Sequence, residues 1–215
     1  MVYFYYFSRS FAKKNVQEGN DMSKICCFIG HRNVNATIEL IKRIDTYIRM
    51  LIEQKGVRVF LFGSRSQFDD LCHERVTKMQ EEYPDVKRIA FTCRSEYACM
   101  KDEKKERERI ARAVTKRDIK YKDYDGVQQS ERIYNAGKAS YVERNQDMID
   151  TSDYCVFYYN PYYLPPKRKQ SKRSLTEYQP KSGTQLALDY AYQRKRGGKE
   201  LTIVNLYEEE DEEYL

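Results

Sequence analysis

The sequence predicts an α/β protein, a three-layer sandwich built on a mostly parallel sheet. Short apolar runs bounded by glycine recur along the chain, and such runs mark strands buried on both faces. Segments with helical apolar spacing separate them. The links between them are short, so the order reads strand–helix–strand–helix–strand, the alternation of a parallel sheet with right-handed crossovers.

The first element is Ile25-Cys26-Cys27-Phe28-Ile29, which ends in Gly30-His31-Arg32. From Thr37 to Gln54, Ile38, Ile41, Ile44, Ile48, Leu51 and Ile52 recur at helical spacing, and Gly56 is placed to end that helix. Val57 to Phe62 is a second strand, broken by Gly63-Ser64-Arg65-Ser66. A helix from Gln67 to Tyr83 turns Phe68, Leu71, Cys72, Val76 and Met79 inward, and Pro84 closes it. Val86 to Phe91 is the third strand. Arg94 to Tyr134 is highly charged and carries a predicted helix near Lys104 to Val114. Lys138 to Ile149 reads as a helix with Tyr141, Val142, Asn145, Met148 and Ile149 near one face, ended by Thr151-Ser152-Asp153. Tyr154 to Tyr159 is a strand, Asn160 to Ser182 a loop rich in Pro, Lys, Arg and Ser, and Gly183 to Lys195 a helix with Leu186, Leu188, Ala191 and Tyr192 apolar. Gly197-Gly198 turns into a last strand, Leu201 to Leu206. The arrangement is Rossmann-like.

Residues 22–207 form one ligand-binding domain on this reading, and 208–215 an acidic tail. Residues 1–21 are either an added edge strand, with Val2 to Phe7 strand-like, or a misassigned leader ahead of Met22. A chain of 215 residues with 40% hydrophobic content can build one such core. No stretch approaches the roughly 18–20 apolar residues that span a bilayer, so a cytosolic protein without a membrane partner is expected. The six cysteines form no CxxC pair. Cys26, Cys27 and Cys155 sit in apolar strand runs and read as buried thiols. With two histidines, a metal site is poorly supplied, and no resident cofactor is expected. The net charge of +6 is uneven, with basic clusters at Lys101–Arg117 and Lys167–Arg173. It favours a phosphate-bearing ligand, but there is no basic stripe with interleaved aromatics of the kind nucleic acid demands.

Ligands of open α/β sheets sit beyond the carboxyl ends of the strands. Three strand or helix junctions carry residues fit for that position. Gly30-His31-Arg32 combines close backbone approach with a planar cation, or is a plain turn with Arg32 solvated. Gly63-Ser64-Arg65-Ser66 can cradle an anion, and Asp69 or Asp70 then either holds a ribose hydroxyl or caps the helix. Ser182-Gly183-Thr184 brings hydroxyls and free amides together at a helix start, which suits phosphate and equally suits an ordinary N-cap. Arg144 and Asn145 form a fourth polar group beside Tyr141, with Asp153 after the helix.

Taken in order, Phe28-Ile29-Gly30-His31-Arg32, Phe60-Leu61-Phe62-Gly63, Phe68-Asp69-Asp70-Leu71-Cys72, Tyr141, Arg144-Asn145, Met148-Ile149-Asp150, Ser152-Asp153, Ser182-Gly183-Thr184, Ala187 and Tyr190-Ala191 resemble the YpsA-like branch of the SLOG superfamily, which also holds the LOG enzymes and DprA. The resemblance covers about Ser23 to Leu206. It implies a pocket for a nucleotide or nucleotide-derived ligand, formed by Gly30, His31, Arg32, Gly63, Ser64, Arg65, Asp69, Arg144, Asn145, Ser182, Gly183 and Thr184. LOG enzymes carry PGGxGTxxE; here the stretch is Lys181-Ser182-Gly183-Thr184-Gln185-Leu186-Ala187, without the glutamate. A sensor or regulatory binding module is therefore expected. The alternative is an N-glycosidic hydrolase of phosphoribohydrolase type working through Asp69, Asp70 or Glu143. A third reading uses the basic loop 165–181 for DNA or protein. The twenty tyrosines favour self-association into a homo-oligomer.

Overall fold

The computed structural model describes residues 23–63, 66–93, 123–132, 138–164 and 181–208. Among them, six strands and four helices follow one another: β1 (Lys24–Gly30), α1 (Ile38–Lys55), β2 (Val57–Phe62), α2 (Gln67–Met79), β3 (Lys87–Thr92), β4 (Gly126–Gln129), α3 (Lys138–Thr151), β5 (Tyr154–Tyr158), α4 (Gly183–Arg196) and β6 (Thr202–Asn205). The readings for residues 1–21, the helix near 104–114, loop 165–180 and the tail beyond Glu208 lie outside the described residues.

Every neighbouring pair of strands is parallel, in the order β4-β3-β2-β1-β5-β6. The sheet is Rossmann-like, and wholly parallel where a mostly parallel one was expected. Strands added after β1 run outward to one side; β5 and β6 then start again on the other. The reversal falls between β1 and β5.

That reversal sorts the helices into two layers. On one face Cys26, Phe28, Phe60 and Phe62 meet Ile44, Ile48 and Leu51 of α1 and Phe68, Cys72 and Val76 of α2. On the other, Cys27, Ile29, Leu61, Phe91, Cys155 and Phe157 meet Met148 and Ile149 of α3 and Ala187 and Ala191 of α4. Alternate residues of β1 therefore enter different cores, and Cys26 to Phe28 are wholly buried. Phe28 stacks on Phe60 and Phe62 at centroid distances of 5.7 and 5.4 Å and meets the edge of Phe68 at 6.4 Å. Burying one such ring contributes roughly 1.5–3 kcal/mol.

Local chemistry sets the boundaries. Thr37 caps α1 by accepting the Leu40 N–H, and Gly56 ends it at φ 71°, the left-handed region that favours glycine. The cap of α2 is Ser66, which accepts the Asp69 N–H at 3.1 Å, so neither Asp69 nor Asp70 fills that role. Helix α2 stops at Met79, short of the expected Tyr83. There Gln80 turns its side-chain amide to the Val86 carbonyl at 2.8 Å, and the residue before Pro84 is disfavoured in a helix. Ile38 is 67% exposed and Leu40 takes its expected place in the core. In α4 the buried residues are Thr184, Ala187 and Ala191, with Leu186 and Tyr192 outside; small side chains let this helix lie close to the sheet.

Strand β4 falls within the charged 94–134 region, where no strand was read. It has four residues, Gly126-Val127-Gln128-Gln129, with no apolar run. The Asp125 carboxylate pins its start by accepting the Arg88 backbone N–H at 2.7 Å.

Helices α3 and α4 are joined through Asp150, whose carboxylate accepts from Tyr190 at 2.8 Å, from Arg194 at 2.6 Å and from Arg132. That side chain is only 7% exposed. Asp150→Ala leaves three donors without their common acceptor and lowers stability by about 2 kcal/mol. Urea unfolding of the variant against wild type measures this.

Candidate functional site

All parallel strands end at one edge of the sheet, and the helices that follow them begin there. Where the strand order reverses, the helices on either side diverge and leave a crevice beyond the strand ends. In this chain that place lies past Gly30 of β1 and Tyr158 of β5, which pair in register.

His31 follows Gly30 and is 3% exposed. Its backbone N–H donates to the Tyr158 carbonyl at 3.2 Å, extending the β1–β5 ladder by one residue. The Asn160 N–H donates to His31 Nε2 at 2.9 Å. A nitrogen that accepts cannot carry a proton, so the ring is a neutral imidazole protonated at Nδ1. Burial lowers the His31 pKa below its ordinary 6.5, against an opposing contribution from the Asn160 backbone. Burial and the Asn160 N–H contact both favour the neutral ring at His31. Asn160 shapes the loop beyond β5: its Oδ1 accepts the Tyr162 N–H at 2.8 Å and its carbonyl the Tyr163 N–H at 3.2 Å. This turn lays the Tyr163 ring on His31 at 4.4 Å.

Around these groups is a cleft of about 880 Å³. His31, Tyr158, Asn160, Tyr162, Tyr163 and Tyr207 line it from the strand ends, and Asn33, Val34 and Asn35 from the β1–α1 loop. Thr37, Glu39, Leu40 and Arg43 line it from the start of α1, and Glu208 from the chain after β6. The β1–α1 loop is held by α2: Gln67 N–H donates to the Arg32 carbonyl at 2.9 Å, and Gln67 Oε1 accepts the Val34 N–H at 2.7 Å. The wall is therefore aromatic and amide-rich, and the start of α1 adds the partial positive charge of a helix N-terminus.

The other residues expected at the site take several positions. Arg32 is exposed, and its carbonyl anchors the loop. Gly30 and Gly63 end neighbouring strands but face opposite layers. A Cβ on Gly30 would stand 2.4–2.5 Å from Phe68 of α2; one on Gly63 would stand 2.3 Å from Met148 Sδ and 3.0 Å from Arg144 Nε of α3. Ser64 and Arg65 lie outside the described residues. Asp69 is buried in the first turn of α2. Arg144 is buried on the α3 side, its guanidinium 5.2 Å from the Tyr141 ring centroid and donating to Asn145 Oδ1 at 3.3 Å. Ser182 caps α4 by accepting the Gln185 N–H at 3.0 Å, with Gly183 exposed and Thr184 buried behind it. Of the residues expected at the site, His31 lines the cleft on the α1 side. Gly63, Arg144 and Asn145 gather on the α3 side, and Ser182, Gly183 and Thr184 open α4.

Sequence reading missed Tyr158, Asn160, Tyr163, Arg43 and Tyr207. The cluster Tyr158-Tyr159-Asn160-Pro161-Tyr162-Tyr163 directly after an apolar strand was the available signal for three of them. Among the described residues, no three His, Cys, Asp or Glu side chains gather as a metal ion would require, and no helix is long and apolar enough to cross a membrane.

A family model described as the YspA SLOG family matches residues 25–190, from β1 into α4. No curated protein matches the chain.

Proposed function

We propose that this chain, which belongs to the YspA SLOG family over residues 25–190, is a binding module that takes a nucleotide or nucleotide-derived ligand in the cleft between β1 and β5. The observation that carries this reading is a coincidence of place: the cleft of about 880 Å³ lies where the strand order reverses. That is where open α/β sheets bind ligands, and the volume suits a small molecule of nucleotide size. The lining supplies matching chemistry. Tyr162 and Tyr163 offer ring faces for a base, Asn33 and Asn35 offer amides for its edge, and the α1 N-terminus suits an anionic group.

Tyr163 is partly exposed at 37% and sits on the neutral His31 ring. Base stacking on an aromatic side chain contributes about 1–3 kcal/mol. Calorimetric titration with nucleoside monophosphates is therefore expected to show binding that Tyr163→Ala weakens about tenfold or more, while Tyr163→Phe retains it. Equal affinities for wild type and Tyr163→Ala, or no binding of any nucleotide, would rule the reading out.

A further inference from the structure

We propose that Arg43 is the anion-binding residue of this cleft, and that Glu208 is the internal group an anionic ligand displaces from it. This deepens the nucleotide reading above and rests on it: it assigns the ligand a phosphate and gives that phosphate a position.

Among the described residues, the charged side chains that line the cleft are Glu39, Arg43 and Glu208, with His31 Nε2 accepting from Asn160. Arg43 is the cation among them. Its side chain is 29% exposed, and its Nε is buried without a hydrogen-bond partner among the described residues. The Nη1 end meets the Glu208 carboxylate, whose side chain is 70% exposed. The guanidinium thus holds a carboxylate at the cleft and keeps a further donor unused. A phosphate that displaces the carboxylate can take the Nη1/Nη2 edge in the forked geometry that suits arginine.

Glu208 reaches this place because the chain before it is pinned. Asn205 Oδ1 accepts the Tyr159 N–H at 2.8 Å and Asn205 Nδ2 donates to the Tyr159 carbonyl at 2.9 Å. Leu206 N–H donates to the Phe157 carbonyl at 2.8 Å and its side chain is buried. Tyr207 then meets the Tyr158 ring edge-on at 5.6 Å. An anchored strand therefore delivers the Glu208 carboxylate to Arg43, where it competes within the molecule at high effective concentration. Five further acidic residues follow it, Glu209 to Glu213.

The charge balance requires the exchange. Among the described residues, with Glu208 at Arg43 two carboxylates oppose one guanidinium, which disfavours an arriving phosphate. With Glu208 away, Arg43 balances Glu39 and the α1 amides tip the cleft positive. An ion pair this exposed contributes little stability, so a doubly charged phosphate replaces it readily.

The test uses the full chain as wild type, Glu208→Gln, Arg43→Gln and Arg43→Lys, titrated with AMP, adenosine and inorganic pyrophosphate. Removing the competing carboxylate in Glu208→Gln is expected to tighten AMP by about 3- to 5-fold. Losing the cation in Arg43→Gln is expected to weaken AMP about tenfold or more, with Arg43→Lys in between. Adenosine affinity stays the same throughout. Glu208 is exposed, so its variant folds whatever becomes of the arginine variants. AMP affinities that are equal in wild type and Glu208→Gln, or weaker in Glu208→Gln, overturn the proposal while leaving the cleft a nucleotide site. If neither AMP nor adenosine binds wild type, the nucleotide reading fails and pyrophosphate decides. Tighter binding to Glu208→Gln with loss in Arg43→Gln then upholds the anion site, and indifference to both substitutions overturns it.

Discussion

Gly30→Ala is expected to lower the unfolding free energy by about 2–3 kcal/mol, the cost of overpacking a filled core. The methyl group would stand 2.4 Å from Phe68 Cδ1 and 2.5 Å from its Cβ and Cγ. These are atoms at the root of a wholly buried ring, which cannot swing aside without moving α2. Phe68 also touches Phe28 at 6.4 Å and stacks on Tyr158 at 5.6 Å, so the displacement reaches both the central strand and the cleft wall. Gly63→Ala is the control. Its nearest neighbour, Met148 Sδ at 2.3 Å, belongs to an unbranched side chain with several torsions that can yield. A cost of about 1 kcal/mol is expected there. Denaturant unfolding of both variants measures the difference, and a larger loss for Gly63→Ala would contradict this account of β1.

The second large effect is on stability against pH, and it comes from His73. This side chain is 6% exposed. It packs edge-on to Phe62 at 5.3 Å and to Tyr124 at 4.6 Å, and its Nε2 is buried without a hydrogen-bond partner among the described residues. Burial, aided by the nearby Arg88 charge, lowers its pKa from 6.5 to about 4, against smaller opposing contributions from Asp123 and Asp125. Above pH 6.5 the ring is neutral in the folded and unfolded chain, and its full contribution to stability is present. Below that, the unfolded ring takes up a proton that the folded ring refuses. Stability therefore falls with pH until about 4, where the folded ring also protonates. The loss over that window amounts to about 3 kcal/mol. The stability difference between wild type and His73→Gln should shift by this amount between pH 7 and pH 4. A difference that does not change with pH would show that the ring is already hydrated in the folded state.

Much of the fold was legible because local and long-range signals agree. The run Cys26 to Ile29 is apolar at every position, as a strand buried on both faces must be, and it became the centre of the sheet. Thr37 and Ser182 mark helix starts through their hydroxyls, and Gly56 a helix end through its left-handed backbone. Strand β4 was not legible: Gln128 and Gln129 look like a polar loop, and only pairing with Phe91 and Thr92 makes them a strand. Helix faces blurred wherever a layer is thin. In α4 the alanines face inward and Leu186 and Tyr192 face out.

The site was legible in part for the same reason. His31 follows a glycine at a strand end, a position with a known geometric meaning. Asn160 and Tyr163 matter through a turn that closes only when the β5 loop meets His31. Arg43 reads from sequence as one more solvated cation on a helix. Its place at the cleft comes from α1, and its meeting there with Glu208 joins residues 165 apart in the chain. Gly30 and Gly63 were read as glycines that let the backbone approach a ligand; in the structure they make room for Phe68 of α2 and Met148 of α3 instead, as the alternation of side chains about the sheet dictates.

Occupancy of the crevice between β1 and β5 by a nucleotide can be read residue by residue. Titrating the isotopically labelled full chain with AMP, and following its backbone amide resonances, tests this most directly. Saturable shifts are expected, centred on His31, the 33–37 loop, Asn160 and Tyr163. Shifts confined to residues remote from this cleft, or none at millimolar nucleotide, would contradict it.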